Sequence, residues 1–238
     1  APTLSWPDFS TISSADLASF RMNLARHGML VSGTQSLLYG RPELQLFNRA
    51  TWSDMRKHLE TVIALTSEIG GEVAVFGSPR NRIRRDLPVS HAIVLAREFL
   101  LSLAPFLDIN NVVLTIEPNA PRYGCDFVTS YNDSVLLCES VDHPAIAPQI
   151  DTGCALMVSE DPVANIDAHI PNHVHFSAPQ LGDPTPWFGL LSELLTKLRT
   201  QEYRGWIVLE MRPPEGDPVG TFLDIASEFA RRVRPYTR

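Results

Sequence analysis

Apolar residues along this chain recur in two alternating rhythms. One is a spacing of three and four, the mark of a helix with a single buried face. It appears in Leu17, Phe20 and Leu24 behind a capping Ser13 or Ser14, and ends at Gly28. It returns in Met55, Leu59, Val62, Ile63 and Leu65 behind Thr51 or Ser53, and stops at Gly70-Gly71. Further helices are predicted over residues 91–107, 127–140, 186–200 and 220–234, and a partly helical stretch over 155–169 is interrupted by Asp161-Pro162. The other rhythm is a short, nearly continuous apolar run. Such runs occupy residues 29–39, where a strand passes into a loop, and 72–76, 111–119, 146–153, 172–179 and 205–214. Strand and helix alternate throughout, which predicts a parallel sheet covered by helices. No tandem repeat, low-complexity segment or linker interrupts the pattern, so residues 1–238 are expected to form one domain.

Four of the strand-like runs end in residues able to ligate a metal. Glu117 closes NVVLTIEPN, Asp151 closes IAPQIDTG, His175 lies in NHVHFSAP and Glu210 in GWIVLEMRPP. They are separated by 34, 24 and 35 residues, about one strand–helix unit each. In a parallel barrel the C-terminal strand ends converge on one face, where active sites sit. Period-two alternation predicts that Thr115 and Asn119 share a face with Glu117, Gln149 with Asp151, His173 with His175, and Arg212 with Glu210. Taken singly, an acid at a strand end more often caps a helix or makes an ion pair than binds metal, and a single His175 reads as a hydrogen-bonded barrel histidine. Taken together, three converging carboxylates would repel one another and resist desolvation. A divalent cation resolves this: three oxygen donors and one imidazole, with no thiolate, suit Mn²⁺, Mg²⁺, Co²⁺ or Zn²⁺.

Composition narrows the class. A formal charge of −7 supplies no basic face for nucleic acid or an anionic membrane surface. Three unpatterned cysteines argue for a reducing compartment. No apolar run approaches the roughly 18 residues of a membrane span, and the first residues lack the make-up of a signal peptide. A cytoplasmic protein acting on a small molecule is the expectation.

The ordered motifs IEPN, IDTG, HVH and IVLEM resemble the sugar phosphate isomerase/epimerase family, whose fold is the xylose isomerase-like (β/α)8 TIM barrel. The likeness runs from about Met29 to Arg234 and extends to VFGSPRNR, EPNAPRYGCDF and EMRPPEG. It implies that Glu117, Asp151, His175 and Glu210 are the metal ligands. It further implies that Glu117 and Glu210 are the catalytic pair, one taking a proton beside a carbonyl and the other returning one to the enediolate. Many members follow the Asp motif with a histidine that contacts substrate, where this chain has Cys154. A buried, inert thiol is expected there rather than a nucleophile.

The resemblance numbers Glu210's strand as the eighth, EVAVF as the fourth and MLVSGTQ as the third. Residues 1–6 then match only the tail of a second strand. The first strand–helix unit and most of the second strand, roughly 35 residues, are expected to be lacking from this chain. For substrate contacts we select Arg80, Asn119, Gln149, His173 and Arg212. Arg80, in PRNR before Arg84 and Arg85, would anchor a phosphate or carboxylate. Tyr123, Trp6 and Phe47 are considered for the pocket wall, whereas His143 and His169 read as solvated. Homo-oligomerisation is a family tendency. A dehydratase on the same site, a metal-dependent endonuclease of damaged DNA and a non-catalytic descendant are the alternatives to an isomerase.

Overall fold

The apolar runs pair side by side in chain order in a computed structural model that describes residues 12–236. The strands are β1 (Gly33–Gln35), β2 (Val73–Phe76), β3 (Val113–Ile116), β4 (Ile146–Asp151), β5 (His173–Ser177) and β6 (Trp206–Glu210). Every adjacent pair is parallel. The sheet curls through 260° into an open, incomplete barrel, in keeping with the expected (β/α)8 architecture. At its two ends, β1 and β6 are only half-buried, whereas β2 and β5 are buried along their whole length. The expected remnant of a second strand at residues 1–6, with Trp6, lies outside the described residues.

Helices supply the outer layer. They are α1 (Ser14–Arg26), α2 (Trp52–Glu68), α3 (Val89–Asn110), α4 (Tyr131–Val141), α5 (Thr152–Met157), α6 (Pro162–Ala168), α7 (Phe188–Thr200) and α8 (Pro218–Val233). Ser13 caps α1 in a reciprocal box with Asp16, and Asp161 caps α6. Leu59 and Ile63 of α2, with Phe99 and Leu103 of α3, pack against Phe76, Leu114 and Ile116 as the main core. Burying each such side chain stabilises the fold by about 1.5–3 kcal/mol before conformational entropy is charged against it.

Two of the differences from the sequence pattern have a visible structural setting. The third-strand run at 29–35 is paired only over Gly33–Gln35, and its one partner strand among the described residues is the four-residue β2. The helix expected over 127–140 begins at Tyr131. Ser130 and Asp133 form a capping box there, and Val128 takes a left-handed φ of 57°, which no helix accommodates. Phe127 and Val128 are apolar because they plug the core from a loop, not because they continue a helical stripe.

Register positions the site. Gln149 pairs with His173 and Asp151 with His175 on β4 and β5, while His175 pairs with Val208 and Ser177 with Glu210 on β5 and β6. Ile116 pairs with Pro148, so the same register sets Glu117 beside Gln149. The four strand-end residues therefore climb around the barrel with its stagger and meet on one face.

Candidate metal centre

Glu117, Asp151, His175 and Glu210 each offer one ligand atom, and these atoms all lie within 4.8 Å of one another. His175 is the hub: its Nδ1 is 2.8 Å from Glu117 Oε1, 3.2 Å from Glu210 Oε2 and 3.9 Å from Asp151 Oδ2. Asp151 and His175 are buried, and the two glutamates reach partly into solvent.

Each carboxylate is held from behind. Asp151 is the N-cap of α5, so its Oδ1 accepts the Cys154 N–H at 2.6 Å. Ser177 Oγ donates to the same carboxylate at 2.9 Å and accepts the Gly153 N–H at 2.9 Å. Thr152 Oγ1 closes the clamp by donating to Ser177 O at 2.7 Å and accepting its N–H at 2.9 Å. The turn requires glycine at 153, since a Cβ would collide with Ala178 O and Ser177 Oγ. On the other side, Gln149 Nε2 donates to Glu117 Oε1 at 3.1 Å and Asn119 Nδ2 donates to Glu117 Oε2 at 3.3 Å. Gln35 Nε2 reaches from β1 to Glu210 Oε1 at 2.9 Å.

These surroundings set the proton affinities. Burial, then repulsion from Glu117 and Glu210, pushes the Asp151 carboxyl up to about 7. For His175, burial favours the neutral ring, but the attraction of the close Glu117 and Glu210 carboxylates outweighs it and raises its pKa well above the ordinary value. Burial would raise Glu210, yet His175 and Gln35 together hold it below the usual carboxylate range. His173, packed edge-on against His175 at 5.0 Å between ring centroids, is pushed down to about 3 by burial and by that neighbour. Burial, followed by the negative charge of Asp151, raises the Cys154 thiol, so it stays protonated.

The donor set fits a hard divalent cation, as three carboxylates and one imidazole. His175 Nδ1 carries the strongest structural sign of this: it is buried, faces three carboxylates, and makes no contact of hydrogen-bond geometry. A lone pair aimed at a common centre accounts for that orientation.

Above the ring opens a cavity of about 300 Å³, lined by Gln35, Ser78, Arg80, Asn119, Tyr123 and Cys154 among others. Arg80 and Asn119 of the expected substrate contacts reach this wall. Gln149 and His173 are buried behind the four clustered residues instead, and Arg212 is exposed past the end of β6, with its backbone N–H bonded to Leu181 O. Tyr123 lines the wall with its hydroxyl pushed up to about 12 by burial and by the nearby acids. Phe47 packs edge-on against Phe127. Arg84 is used structurally, its N–H and that of Arg85 both bonded to the Asp126 carboxylate.

Sequence reasoning missed Ser177, Gly77 and Arg82. Ser177 sits two residues beyond His175 on the same strand, a signal available from alternation. Gly77 follows β2, and a Cβ there would overlap Glu117 Oε2. Arg82 gave no signal beyond its place in PRNR.

Comparison with known proteins adds three findings. The family profile of the xylose isomerase-like TIM barrel matches residues 2–226. Among solved structures, the apo form of a 3-keto-D-glucoside 4-epimerase from E. coli superposes with a TM-score of 0.78 at 16% identity, covering 92% of this chain and 85% of that one. An AP endonuclease of family 2 from Brucella melitensis gives 0.73 at 17% identity, with 89% and 83% covered. A D-psicose 3-epimerase from Clostridium cellulolyticum H10 bound to D-tagatose gives 0.68 at 13%, with 90% and 75% covered. At these identities the likeness establishes the fold. Curated protein sequences contain no match. No helix among the described residues is long and apolar enough to cross a membrane.

Proposed function

Because this chain belongs to the xylose isomerase-like TIM-barrel family, we propose that it is a metal-dependent isomerase or epimerase of a small sugar or sugar-like hydroxy-carbonyl compound. The observation that carries the reading is the convergence of Glu117, Asp151, His175 and Glu210 within 4.8 Å beneath a cavity of about 300 Å³. The presence of sugar epimerases among structures of the same fold supports it.

In this reading the four residues hold one divalent cation. Bound there, the cation supplies Lewis-acid polarisation of the substrate carbonyl and offsets negative charge developing on its oxygens. Asp151 and His175, both buried, serve as fixed ligands. Glu117 and Glu210 come from β3 and β6 and keep partial access to the cavity, so the proton transfers fall to them. One removes the proton from the carbon beside the carbonyl, and the other delivers a proton to the resulting enediolate. Asn119 and Gln149 orient Glu117, and Gln35 orients Glu210. Cys154 contributes a neutral thiol to the wall and takes no part in proton transfer. Arg80 stands on the same wall to receive an anionic or hydroxyl-rich end of the substrate.

The test is isotope exchange. Metal-stripped protein reloaded with Mn²⁺ is incubated in D₂O with a panel of ketoses and hydroxy-carbonyl acids. Deuterium is expected at the carbon beside the carbonyl of the isomerised product, and Glu210→Gln should abolish it. Full activity in that variant would sink the proposal, as would nicking of abasic DNA in place of any exchange. Loss of water instead of epimerisation would move the protein to the dehydratases.

A further inference from the structure

Arg82 is among the largest fully buried side chains of the protein, at 1% exposure. A guanidinium is never deprotonated under ordinary conditions, and burying one is costly unless it is well partnered. Arg82 has no carboxylate within salt-bridge distance among the described residues. Its Nη2 donates to Glu117 O at 2.6 Å and to Asn119 Oδ1 at 2.7 Å, while Nε and Nη1 make no hydrogen bond among the described residues. A cation this poorly satisfied, placed behind the acidic ring, calls for a reason other than stability.

We propose that Arg82 is a positioning residue of the metal centre, acting on Glu117 through Asn119. The inference rests on reading the four-ligand ring as a divalent-metal site. Arginine can only donate, so the group of Asn119 that faces it must be the carbonyl oxygen. The amide of Asn119 therefore cannot flip, and its Nδ2 is committed to Glu117 Oε2 at 3.3 Å. The other oxygen of Glu117 has a parallel support: Thr115 Oγ1 donates to Gln149 Oε1 at 2.6 Å, and Gln149 Nε2 donates to Glu117 Oε1. A threonine hydroxyl can accept as readily as donate, so it tolerates either orientation of Gln149. Only the Arg82 side enforces one. By also gripping the carbonyl of Glu117, Arg82 fixes the backbone and the carboxylate of the same ligand. It balances charge as well, since three carboxylates, one guanidinium and one divalent cation are together neutral when His175 ligates as neutral imidazole.

Charge and positioning predict opposite signs, which makes the role testable. Removing a cation near the ring would by charge alone tighten binding of a divalent metal. Loosening Glu117 would weaken it. Mn²⁺ affinity is measured by electron paramagnetic resonance of the free ion, on metal-stripped wild type and on Arg82→Met, Arg82→Lys, Asn119→Ala and the Arg82→Met/Asn119→Ala double variant, with folding checked by circular dichroism. Arg82→Met and Asn119→Ala are each expected to weaken Mn²⁺ binding about tenfold. The double variant should be no weaker than the poorer single one, because both act on one chain of contacts. Arg82→Lys, which keeps a donor-only cation, should recover part of the loss. Unchanged or tighter binding in folded Arg82→Met would overturn the inference, and so would additive losses in the double variant. If Arg82→Met does not fold, unchanged affinity in Asn119→Ala overturns it equally. Failure of the wild type to bind Mn²⁺ removes the metal-centre reading and this inference with it, whereas wild-type binding with an indifferent Arg82 removes the inference alone.

Discussion

Gly77→Ala is the sharpest probe of how the ring is held. Gly77 does not use the left-handed backbone region, so alanine costs nothing in conformation at this position. The whole effect falls on the space in front of its Cα. A Cβ there would lie closer than 3.0 Å to Glu117 Oε2, with Asn119 Oδ1 and Glu117 Cδ both at 3.4 Å. Ordinary contact distances require the carboxylate to retreat by about 1 Å. A free glutamate would swing away at little cost. This one is tied by Gln149 Nε2 at 3.1 Å and Asn119 Nδ2 at 3.3 Å, and its Oε1 is 2.8 Å from His175 Nδ1. Moving it breaks or stretches those contacts together. A displacement near 1 Å at a reacting group costs roughly 100-fold in rate, or about 2.7 kcal/mol. Overpacking elsewhere in a fold costs about 1–3 kcal/mol of stability, and the partial exposure of Glu117 places this variant at the low end. Mn²⁺ affinity, followed by calorimetric titration, should therefore fall by about 10- to 100-fold while the protein stays folded. Wild-type affinity in folded Gly77→Ala would refute the reasoning, since it would mean that the position of Glu117 does not matter to the ring.

Ser177→Ala removes a donor to Asp151 and leaves the buried Gly153 N–H without its acceptor, so it should cost about 1–3 kcal/mol of stability and about tenfold in Mn²⁺ affinity; thermal melts and titration of the same sample check both. In metal-free protein, Asp151 holds its proton up to about pH 7, whereas the unfolded chain releases it near 3.8. The folded state thus binds more protons across that interval, and stability falls as pH rises through it. His175 has the same sign: its raised pKa contributes stability that is complete below 6.5 and is lost as pH climbs through the folded value. Glu210, held low, contributes in the opposite sense but only below about 4.5. The melting temperature in EDTA should accordingly drop between pH 5 and 8, and Asp151→Asn should flatten the drop; a rise in wild type would contradict the assigned shifts. Saturating Mn²⁺ at 100 times its dissociation constant should stabilise the fold by about 2.7 kcal/mol. That gain should grow with pH, because binding expels the protons on Asp151 and His175, and a chelator should reverse it.

The chain's own pattern determined the alternation of strand and helix, the parallel sheet and the three acids and one imidazole at successive strand ends. These are properties of spacing: period-two and period-3.6 burial, and turn residues that halt each run. Glu117, Asp151, His175 and Glu210 could be read because the four fall at the ends of successive apolar runs about one strand–helix unit apart, although singly an acid such as Asp151 is also explained as a helix cap. Helix starts were less legible. Phe127 and Val128 match an apolar stripe, and only the left-handed turn at Val128 with the Ser130–Asp133 box shows that they belong to a loop.

Tertiary structure alone decided how the ring is supported. Alternation grouped Gln149 and His173 with the ring residues they touch, but it could not distinguish a side chain that meets solvent from one buried behind its neighbour. That depends on barrel stagger and on what fills the interior. Arg80 and Arg82 are two residues apart in one short motif, yet one lines the cavity and the other is sealed beneath Glu117. Local sequence carries no record of that difference, because it is set by contacts across 35 and 37 residues of chain. Gly77 makes the same point: its need for a bare Cα comes from a carboxylate on the neighbouring strand, not from its own backbone.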